Sequence, residues 1–506
     1  MASYEFGFDD FQNLGCHHLE DGKSVLVAAP TGAGKTIVGE FATFLAEKNG
    51  NRCFYTTPIK ALSNQKYQDL VKLYGDSEVG LLTGDSSINS EARIVVMTTE
   101  VLRNMIYAGS DAIDDLGYVV MDEVHYLADK FRGAVWEEIL IHLPERIQIV
   151  SLSATVSNAE EFGDWLKTVR GETEVVLSEI RPVPLYQHIL IGNRILDLFV
   201  DEGRVNPEIL RIEKNSIKKV PGGSKSWKES KFSSIKSLTR PEVVEKLSER
   251  GFLPAIFFIF SRAGCDGAVA SCIREGLSLT NSLEKEEIRR VIALKTHELP
   301  SEDFGVLGFH EWAQALERGI AAHHAGLLPM FKETIEELFQ RGLLKIVFAT
   351  ETLALGINMP ARSVVLEKLV KWNGESHVNV SPGEYTQLTG RAGRRGIDIE
   401  GNALILWNEQ MDSSIAAGLA STRTYPLRSS FSPTYNMSAN LISRFGHERA
   451  RKSLGFSFAQ FQADKAVVGL ARQIAKNEMA IKTLIEGSQS DLGDMGEYMK
   501  ARFAIK

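Results

Sequence analysis

The chain has 506 residues, of which 44% are hydrophobic and 24% are charged, and its formal net charge is −8. This length exceeds what one hydrophobic core can hold, so we expect two or three domains of an ordinary globular protein. The negative charge excludes binding of nucleic acid through overall charge, and any such binding must use a local surface. The four cysteines lack C-x-x-C spacing, which favours buried small residues over a zinc site or a disulfide framework.

Neither a leader nor a membrane segment is predicted. The stretch Tyr4–Asp10 is acidic and aromatic, unlike a signal peptide. The longest apolar runs, such as Pro254–Phe260, fall far short of the roughly 20 residues that a membrane span needs. We therefore expect a soluble, cytoplasmic protein of a reducing compartment, with no membrane partner.

A first helix is predicted to reach Glu20, and an aromatic ring and an amide lie near its start. Gln12 precedes a candidate nucleotide loop, where an amide can hydrogen-bond an adenine edge and Phe6 can stack on the ring. The ordinary alternative is a surface glutamine and a core phenylalanine. The residues alone leave both interpretations open.

The most specific motif follows the apolar run Ser24–Ala29. A buried strand, a glycine-rich turn and a helix start make up a phosphate-binding loop, in which Gly32 and Gly34 let backbone N–H groups turn towards a polyphosphate. Lys35 would pair with the β- and γ-phosphates, and the Thr36 hydroxyl would bind Mg²⁺. The predicted ATP contacts of the loop are Ala29, Pro30, Thr31, Gly32, Ala33, Gly34, Lys35 and Thr36.

Short apolar runs alternate with helical patterns through the first half of the chain. This alternation predicts a parallel sheet covered on both faces, with ligands bound beyond the carboxyl ends of its strands. The predicted strands are Cys53–Thr57, Val79–Leu82, Ile94–Thr98, Tyr118–Met121 and Ile147–Leu152, and the predicted helices include Ile37–Leu45 and Ala61–Leu73.

Two acidic residues follow the strand that ends at Met121. A carboxylate pair at the end of a buried strand is costly unless a cation is near. Asp122 would bind Mg²⁺, and Glu123 would orient and deprotonate the attacking water. His125 could carry a signal across a cleft. The next strand ends at Ser153-Ala154-Thr155, small residues that by themselves indicate only a turn or a helix cap.

Three further strand ends carry threonine, serine, asparagine, lysine or arginine. Helix N-termini with such residues suit backbone phosphates, so together they indicate a nucleic-acid track, although ordinary capping explains any one of them. The candidate contacts on this track are Pro58, Lys60, Gln65, Thr83, Gly84, Thr99 and Arg103.

The composition changes over Arg211–Arg240, where lysine, serine and glycine dominate. This stretch predicts an exposed insertion or linker, and attraction of a nucleic-acid backbone is a second use for it. A second alternating region follows and predicts a second sheet, which has no phosphate loop of its own. Its predicted strands are Ala255–Phe260, Gly319–Ala322, Lys345–Ala349, Ser363–Leu366 and Ala403–Trp407.

The second region also carries three arginines in a short polar motif. The spacing of Gln387, Arg391 and Arg394 predicts polar groups on one face of a short helix. Arginines supplied from across a cleft can stabilise charge on a transferring phosphoryl group, whereas a generic basic loop is the alternative. The adjacent histidines His323 and His324 diverge and lack a third ligand, so no metal is predicted there.

In their order along the chain, these motifs resemble the motif series of superfamily II helicases. The Asp122–His125 box and Ala349–Pro360 are similar to the superkiller-type branch in particular, as are Ser429–Met437 and Ser457–Gln462. Among these helicases, the bacterial HelY type looks most similar. The match covers nearly the whole chain, and the loop of this superfamily commonly begins with alanine, as it does at Ala29.

The resemblance implies two RecA-like domains with ATP and Mg²⁺ in the cleft between them. It implies catalytic roles for Lys35, Asp122, Glu123, Gln387, Arg391 and Arg394, with Arg394 as the better candidate for an arginine finger. It adds Phe6, Gln12, Gly356 and Asn358 to the ATP contacts, Thr36 and Asp122 as metal ligands, and His125, Ser153 and Thr155 as coupling groups. The single strand would cross both domains through backbone contacts, reaching His324, Thr350 and Thr352 in the second.

The implied architecture is α/β: two tandem RecA-like parallel-sheet domains with a short, mainly helical C-terminal extension that forms a partial winged helix. The expected divisions are residues 1–188, a connector at 189–245, residues 246–420 and an extension at 421–506. A strand-separating hairpin is expected at Lys368–Pro382, where Trp372-Asn373-Gly374 offers a turn. After a predicted helix over Ala463–Ile485 the family's ratchet domain is missing, so the chain resembles a truncated member.

The leading hypothesis is an ATP-dependent, 3′→5′ helicase or translocase that acts as a monomer on single-stranded nucleic acid, with RNA favoured over DNA. A DNA helicase of repair type is one alternative. An ATPase clamp that grips a strand without separating duplexes is another, because the ratchet is missing. A P-loop kinase or transporter ATPase fits poorly, since it leaves Gln387–Arg394 and the second sheet without a role.

Overall fold

A computed structural model gives the fold of residues 7–201, 203–217, 237–354, 359–372, 375–408, 411–422 and 424–465, and of residues 477, 479–481, 483–484, 489–490 and 493–504. Among these residues, no helix has both the length and the apolar character needed to cross a membrane. The described chain forms two sheets in succession, each flanked by helices, and then a helical extension.

Within the described residues the first sheet has eight strands: β1 (Ser24–Ala28), β2 (Arg52–Thr57), β3 (Val79–Leu82), β4 (Ser87–Ile88), β5 (Ile94–Thr98), β6 (Leu116–Met121), β7 (Gln148–Ser153) and β8 (Thr173–Leu177). Their order across the sheet is β4-β3-β5-β2-β6-β7-β1-β8, and all neighbours are parallel except β3 and β4. Val25 and Val27 face one hydrophobic core while Leu26 and Ala28 face another, as a sheet covered on both faces requires.

The helices of this first domain lie on both faces of the sheet. They are α1 (Asp10–Glu20), α2 (Thr36–Asn49), α3 (Lys60–Tyr74), α4 (Thr99–Ala108), α5 (Ala134–His142) and α6 (Ala159–Arg170), with 3-10 turns at Asp111–Ile113 and Val124–Ala128. Gly39 lets α2 approach the sheet closely, because a Cβ atom there would lie 3.0 Å from Val120 and 3.1 Å from Tyr55.

In the same described ranges the second sheet has seven strands: β9 (Leu185–Ile191), β10 (Arg194–Asp197), β13 (Ala255–Phe258), β14 (Ile320–His323), β15 (Ile346–Ala349), β16 (Ser363–Leu366) and β19 (Gly401–Leu406). Their order is β10-β9-β19-β16-β13-β15-β14, and all neighbours are parallel except β9 and β10. The strand pairs β11 (Phe199–Asp201) with β12 (Arg204–Val205), and β17 (Val370–Trp372) with β18 (His377–Asn379), form separate hairpins.

Helices also cover both faces of the second sheet. They are α7 (Pro207–Ile217), α8 (Arg240–Glu249), α9 (Arg262–Arg274), α10 (Ser282–Lys295), α11 (Phe309–Glu317), α12 (Pro329–Gln340), α13 (Pro382–Thr389) and α14 (Ser413–Ser421), with 3-10 turns at Ser301–Asp303 and Glu351–Leu353. Ile256 and Phe258 of β13 face one core, and Ala255 and Phe257 face the other. This alternation repeats the arrangement of the first sheet.

The strands predicted from apolar runs are confirmed, with ends that differ by two residues at most. The sequence did not predict β8, β9 and β10, each of which carries at least one exposed residue. The domain boundary expected at residue 188 falls inside β9. Because β9 pairs with β19, the second sheet begins within what was expected to be the end of the first domain.

The C-terminal extension is helical. It contains α15 (Tyr435–Gly455), which is interrupted at Gly446 (φ +78°), and α16 (Met495–Ala504), with a two-residue pairing of β20 (Gln489–Ser490) and β21 (Gly493–Asp494) before α16. The helix expected over Ala463–Ile485 and the basic stretch Arg211–Arg240 lie mostly outside the described residues. The partial winged helix stays a prediction.

Candidate functional site

The predicted phosphate loop lies between β1 and α2, at the carboxyl edge of the first sheet. Gly32 (φ +81°) and Gly34 (φ +86°) adopt the left-handed backbone conformation that favours glycine. Lys35 is buried, and its Nζ donates to the carbonyl oxygens of Ala29 (2.9 Å) and Pro30 (3.2 Å). A turned loop with a buried cation at a helix start is the arrangement that binds phosphate groups in proteins.

Two side chains from outside the loop contact its backbone. Gln12 is fully buried, its Nε2 donates to the carbonyl oxygen of Gly34 (2.9 Å), and its Oε1 accepts from the N–H of Asp9 (2.8 Å). Arg395, which the sequence analysis did not single out, reaches from the second domain to the carbonyl oxygen of Ala33 (2.7 Å) and to Asp9 (2.9 Å). The Gln12 amide therefore supports the loop, and its contact with adenine stays a prediction.

The two predicted carboxylates follow β6 at the same edge of the sheet. Asp122 is buried, and its oxygens accept from the Tyr55 hydroxyl (3.1 Å) and from the N–H of Glu123 (2.9 Å). Burial and the neighbouring Glu123 raise the pKa of Asp122 to about 6, and burial lowers the pKa of Lys35. A carboxylate and a hydroxyl are hard oxygen donors of the kind that Mg²⁺ takes together with phosphate oxygens, so Asp122 and Thr36 fit this ion.

Glu123 has a backbone conformation that is rare for residues other than glycine. Its φ is +52° and its ψ is 44°. Such a conformation costs on the order of 1 kcal/mol and persists only where the surrounding structure imposes it. Glu123 lines a small cavity to which both domains contribute, together with Thr31, His125, Tyr126, Ala354, Gln387 and Arg391. The predicted water-activating carboxylate therefore faces two of the predicted groups of the second domain.

His125 makes a direct contact between the domains. Its Nδ1 accepts from the N–H of Ala154 (3.2 Å) and lies 3.3 Å from Glu123, and its Nε2 lies 2.9 Å from the side-chain amide of Gln387. Burial, with the charge of Lys35, lowers the pKa of His125 to about 3, so the ring is neutral at pH 7. One neutral imidazole thus joins the acidic box, the end of β7 and the second domain.

Ser153 and Thr155 lie at the end of β7, which runs between β6 and β1. The carbonyl oxygen of Ser153 accepts from the N–H of Ala29 (3.2 Å), which ties this strand end to the start of the phosphate loop. The Ser153 hydroxyl is buried and has no hydrogen-bond partner among the described residues. The coupling roles of these residues stay predictions, and their position between the loop and His125 suits such roles.

The helix predicted over Gln387–Arg394 is wrong in its second half. Helix α13 ends at Thr389, so Arg391 and Arg394 lie in the chain that follows it. The chain leaves the helix because Ala392 forms a parallel bridge with Ala361, whose carbonyl oxygen accepts from the N–H of Gly393 (2.7 Å). This backbone pairing with another segment overrides the local helical period.

The two arginines have different surroundings. Arg391 is buried beside the cavity and donates to the carbonyl oxygen of Ala354 (2.6 Å). Burial lowers the pKa of Arg391, and the charge of Glu123 offsets part of this effect. Arg394 forms a two-pronged ion pair with Asp398 (2.7 and 2.8 Å). The identity of the arginine finger stays a prediction, and Arg391 is the arginine that lines the cavity with Glu123.

The predicted nucleic-acid track of the first domain follows β2, β5 and β3, which are adjacent in the sheet. The carbonyl oxygen of Pro58 accepts from Arg132 (2.7 Å), and Lys60 pairs with Asp85 (2.5 Å), which links the ends of β2 and β3. Gln65 lies on α3, whose start is at Lys60. These residues therefore share one edge of the sheet. Their binding of single-stranded nucleic acid stays a prediction.

Two parts of this track differ from the prediction. Thr83 and Gly84 do not begin a helix, because the chain turns there into the antiparallel strand β4. Thr99 is fully buried, and its hydroxyl donates to the carbonyl oxygen of Thr57 (3.0 Å), so only the backbone at the start of α4 can face a phosphate. Arg103, further along α4, lies 3.9 Å from Glu138.

The candidate contacts of the second domain follow β14 and β15, which are also adjacent. His324 is buried with its Nε2 2.9 Å from Asp266, and its neighbour His323 pairs with Glu336 instead (2.9 Å). The hydroxyls of Thr350 and Thr352 lie 2.9 Å apart. The two histidines thus point to different carboxylates, as their adjacency predicts. Phe6, Gly356 and Asn358 lie outside the described residues, so their ATP contacts stay predictions.

The expected hairpin is present as β17 and β18, with Trp372 opposite His377 and half exposed. The sequence analysis missed Lys371, whose Nζ lies 2.5 Å from Glu351 and 2.6 Å from Glu384. Glu351 belongs to the turn after β15, and Glu384 to α13. Lys371 therefore ties the hairpin to both segments of the second domain that contribute to the cavity.

Two family models match the chain. The DEAD/DEAH box helicase model matches residues 9–162, and the helicase conserved C-terminal domain model matches residues 278–396. The first range holds the phosphate loop, the acidic box and the end of β7, and the second holds Gln387, Arg391 and Arg394. The chain therefore contains the two RecA-like domains of a helicase, and these domains imply the use of ATP.

Similarity to named relatives indicates the branch of helicases to which the chain is related. The chain is 56% identical over 514 residues to the probable helicase HelY of Mycobacterium tuberculosis, an alignment that covers 100% of this chain and 57% of the relative. It is 38% identical over 515 residues to superkiller complex protein 2 of Homo sapiens (98% and 41%), and 38% identical over 485 residues to the human exosome RNA helicase MTR4 (94% and 46%). The chain is thus a homologue of the superkiller-type helicases, and it spans little more than half the length of the first of these relatives.

Proposed function

We propose that the chain is an ATP-dependent helicase or translocase that moves along single-stranded nucleic acid as its interdomain cleft closes and opens. The observation that carries this proposal is the shared cavity, where Glu123 of the first domain faces Gln387 and Arg391 of the second. The groups needed for hydrolysis are split between the domains. Hydrolysis therefore depends on their approach, which is how a chemical step becomes a movement.

Each group in the cleft has a role that follows from its chemistry. Lys35 holds the phosphates, while Thr36 and Asp122 hold Mg²⁺. That ion neutralises charge on the phosphate oxygens when it is bound. Glu123 orients the attacking water and accepts its proton. Arg394, with Arg391 beside it, stabilises charge on the transferring phosphoryl group.

The contacts between the domains couple ATP hydrolysis to movement of the nucleic-acid strand. The His125–Gln387 contact breaks if the domains separate, so the acidic box and the end of β7 respond to the position of α13. Both nucleic-acid tracks lie at carboxyl edges of the sheets, where backbone contacts to a single strand give little sequence preference. The hairpin with the exposed Trp372 is the element that separates a duplex.

We favour RNA over DNA as the substrate, because MTR4 and a DExH-box relative of Arabidopsis thaliana are named RNA helicases. Movement from 3′ to 5′ is what the resemblance to superkiller-type helicases implies. We further propose that the chain acts as a monomer in the cytoplasm. A DNA helicase of repair type and an ATPase clamp without strand separation are the competing outcomes of the experiment that follows.

The decisive measurement is ATP hydrolysis with single-stranded RNA, with single-stranded DNA and without polynucleotide, at matched salt. We expect RNA to raise kcat by about tenfold and more than DNA does, because strand binding favours the closed cleft. Glu123→Gln should lower kcat by at least about 100-fold and leave ATP binding intact, because it removes the base and keeps the shape. The exposed Glu160→Gln is the matched control and should hydrolyse ATP as the wild type does.

Different results would point to the other functions. Hydrolysis that polynucleotide does not change would contradict the proposal and restore the kinase or transporter interpretation. A stronger response to DNA would select the repair-type helicase. Strand separation is then measured on a duplex with a 3′ single-stranded tail, and hydrolysis without separation would select the clamp.

A further inference from the structure

We propose that Tyr425, in the extension just before α15, is a positioning residue of the ATP site. This inference rests on the proposed function and adds a third part to its active site. Tyr425 begins a segment, residues 425–430, which we call the strap. The strap is hydrogen-bonded to the first domain, while the ring of Tyr425 packs against the second.

The strap first contacts the chain that follows Ser153-Ala154-Thr155. Tyr425 forms a parallel bridge with Val156, and its carbonyl oxygen accepts from the N–H of Ser157 (2.9 Å). The side chain of Asn158 accepts from the N–H of Leu427 (2.6 Å) and donates to its carbonyl oxygen (2.8 Å). These three hydrogen bonds pair the strap with the first domain, much as a short strand would.

The strap then contacts the chain that follows the acidic box. The Ser430 hydroxyl donates to the carbonyl oxygen of Leu127 (2.8 Å), within the 3-10 turn Val124–Ala128 that contains His125. Gly133 makes room for this contact, because a Cβ atom there would lie 2.2 Å from the Ser430 oxygen. The strap therefore spans both segments of the first domain that contact His125.

The Tyr425 ring packs on the helix that carries Gln387. A Cβ atom at Gly383, in the first turn of α13, would lie 3.2 to 3.3 Å from three carbons of the ring. Gln387 is one turn further along α13, and the Tyr425 hydroxyl is buried near its amide. Burial and the charge of Glu123 raise the pKa of Tyr425, so the hydroxyl stays protonated beside the cavity.

These contacts give the ring a mechanical role. Because its backbone is fixed to the first domain and its face meets α13, the ring sets how closely α13 approaches His125. The 2.9 Å contact between His125 and Gln387 depends on that approach. The ring does not touch the reacting atoms, and it acts through Gln387. The ATP site thus has three parts: the two domains and the strap.

The test compares the steady-state hydrolysis of ATP by three tyrosine variants in the presence of single-stranded RNA. Tyr425→Ala should lower kcat by about tenfold and change KM for ATP by less than about threefold, because α13 loses its support while the phosphate loop is intact. Tyr425→Phe keeps the ring and should stay within about twofold of wild type. Tyr435→Ala removes a fully exposed tyrosine of the same extension and should have no effect.

A substitution in α13 tests the contact between this helix and the Tyr425 ring from the side of the helix. Gly383→Ala places a methyl group 3.2 to 3.3 Å from three carbons of the Tyr425 ring and should reproduce the loss of kcat, since α13 or the ring must shift to make room. In a chain that already carries Tyr425→Ala, Gly383→Ala should cause no further loss. If Tyr425→Ala alone folds poorly, which circular dichroism would reveal, Gly383→Ala in the otherwise wild-type chain tests the inference by itself.

The outcomes separate the two proposals. If the wild type hydrolyses ATP and Tyr425→Ala matches it in kcat, the inference is wrong and the proposed function stands. Independent, additive losses from Gly383→Ala and Tyr425→Ala would also overturn the inference. If the wild type does not hydrolyse ATP with or without RNA, the proposed function fails and the inference falls with it.

Discussion

The two sheets supply the shared cavity in different ways. In the first sheet, the phosphate loop, Ser153 and Asp122 follow the carboxyl ends of the adjacent strands β1, β7 and β6. In the second sheet, Arg391 lies at the amino end of β16, where Ala392 pairs with Ala361. The first sheet therefore supplies the cavity from the carboxyl ends of its strands, whereas the second supplies it from both ends, since Ala354 follows the carboxyl end of β15.

This difference divides the work between the domains. The first sheet brings a cation and two carboxylates together at one edge, so it has the groups to bind a nucleotide and its metal by itself. The second domain adds the side chains that reach the cavity from the turn after β15, from α13 and from the chain after α13. We therefore expect changes in the second domain to reduce turnover far more than nucleotide binding.

The arginine variants give the largest expected effect and test whether the second domain supports turnover rather than nucleotide binding. Arg394→Ala and Arg391→Ala should each lower kcat by about 100-fold or more, with a change in the Kd for ATP of less than about threefold, because arginine fingers act on the transition state. The exposed Arg250→Ala, also in the second domain, is the control. Steady-state hydrolysis at saturating ATP gives kcat, and titration with a fluorescent ATP analogue gives Kd.

The two arginines need not give the same result. Full activity in Arg394→Ala together with a loss in Arg391→Ala would identify Arg391, which lines the cavity with Glu123, as the arginine finger. Full activity in both variants would contradict the two-domain model of hydrolysis. A loss of ATP affinity as large as the loss of kcat would show that the second domain binds nucleotide. This result would contradict the assignment of nucleotide binding to the first domain alone.

Lys371 tests whether the hairpin belongs to the same unit as α13. Its side chain is 14% exposed and lies between Glu351 and Glu384. Lys371→Met removes the cation that faces both carboxylates, which are 41% and 37% exposed, so we expect the free energy of unfolding of the second domain to fall by about 2 kcal/mol. Thermal unfolding measures the loss, and the exposed Lys368→Met is the control.

A second substitution shows whether charge is the cause. Glu351→Gln in the Lys371→Met background should recover part of the lost stability, because it removes one of the two facing charges. If Lys371→Met unfolds like the wild type, the ion pairs contribute nothing and the hairpin is not held to α13 through them. Reduced stability without recovery would mean that the pair with Glu384, and not the pair with Glu351, carries the effect.

Features that depend on a few neighbouring residues were predictable, and features that depend on distant contacts were not. The glycines of the phosphate loop and the apolar runs of the strands act locally, so their positions were correct. The helical period through Arg391 was misleading because pairing with Ala361 competes with it. Lys371 and Tyr425 are ordinary residues in the sequence, and only partners far along the chain give them roles.

Glu137 gives the smallest expected effect and tests how firmly the extension is attached to the first domain. This residue of α5 is fully buried and accepts hydrogen bonds from the Ser429 hydroxyl and from the N–H of Phe458 (2.7 Å). Burial raises its pKa from 4.5 to about 7. The folded chain therefore holds a proton that the unfolded chain releases between these values, and the free energy of unfolding should fall as the pH rises through this window.

Glu137→Gln removes the titration and keeps a hydrogen-bonding group of the same shape. Between pH 5 and pH 7, the wild type should lose about 1 to 2 kcal/mol of stability relative to this variant. Urea unfolding, followed by tryptophan fluorescence, measures the difference. Trp165 contributes to this signal at the extension, because its indole donates to the carbonyl oxygen of Phe456 (2.7 Å). The exposed Glu145→Gln should keep the pH dependence of the wild type. Equal pH dependence in Glu137→Gln and the wild type would mean that Glu137 is ionised when folded, and that the extension is held to the first domain by a charged group.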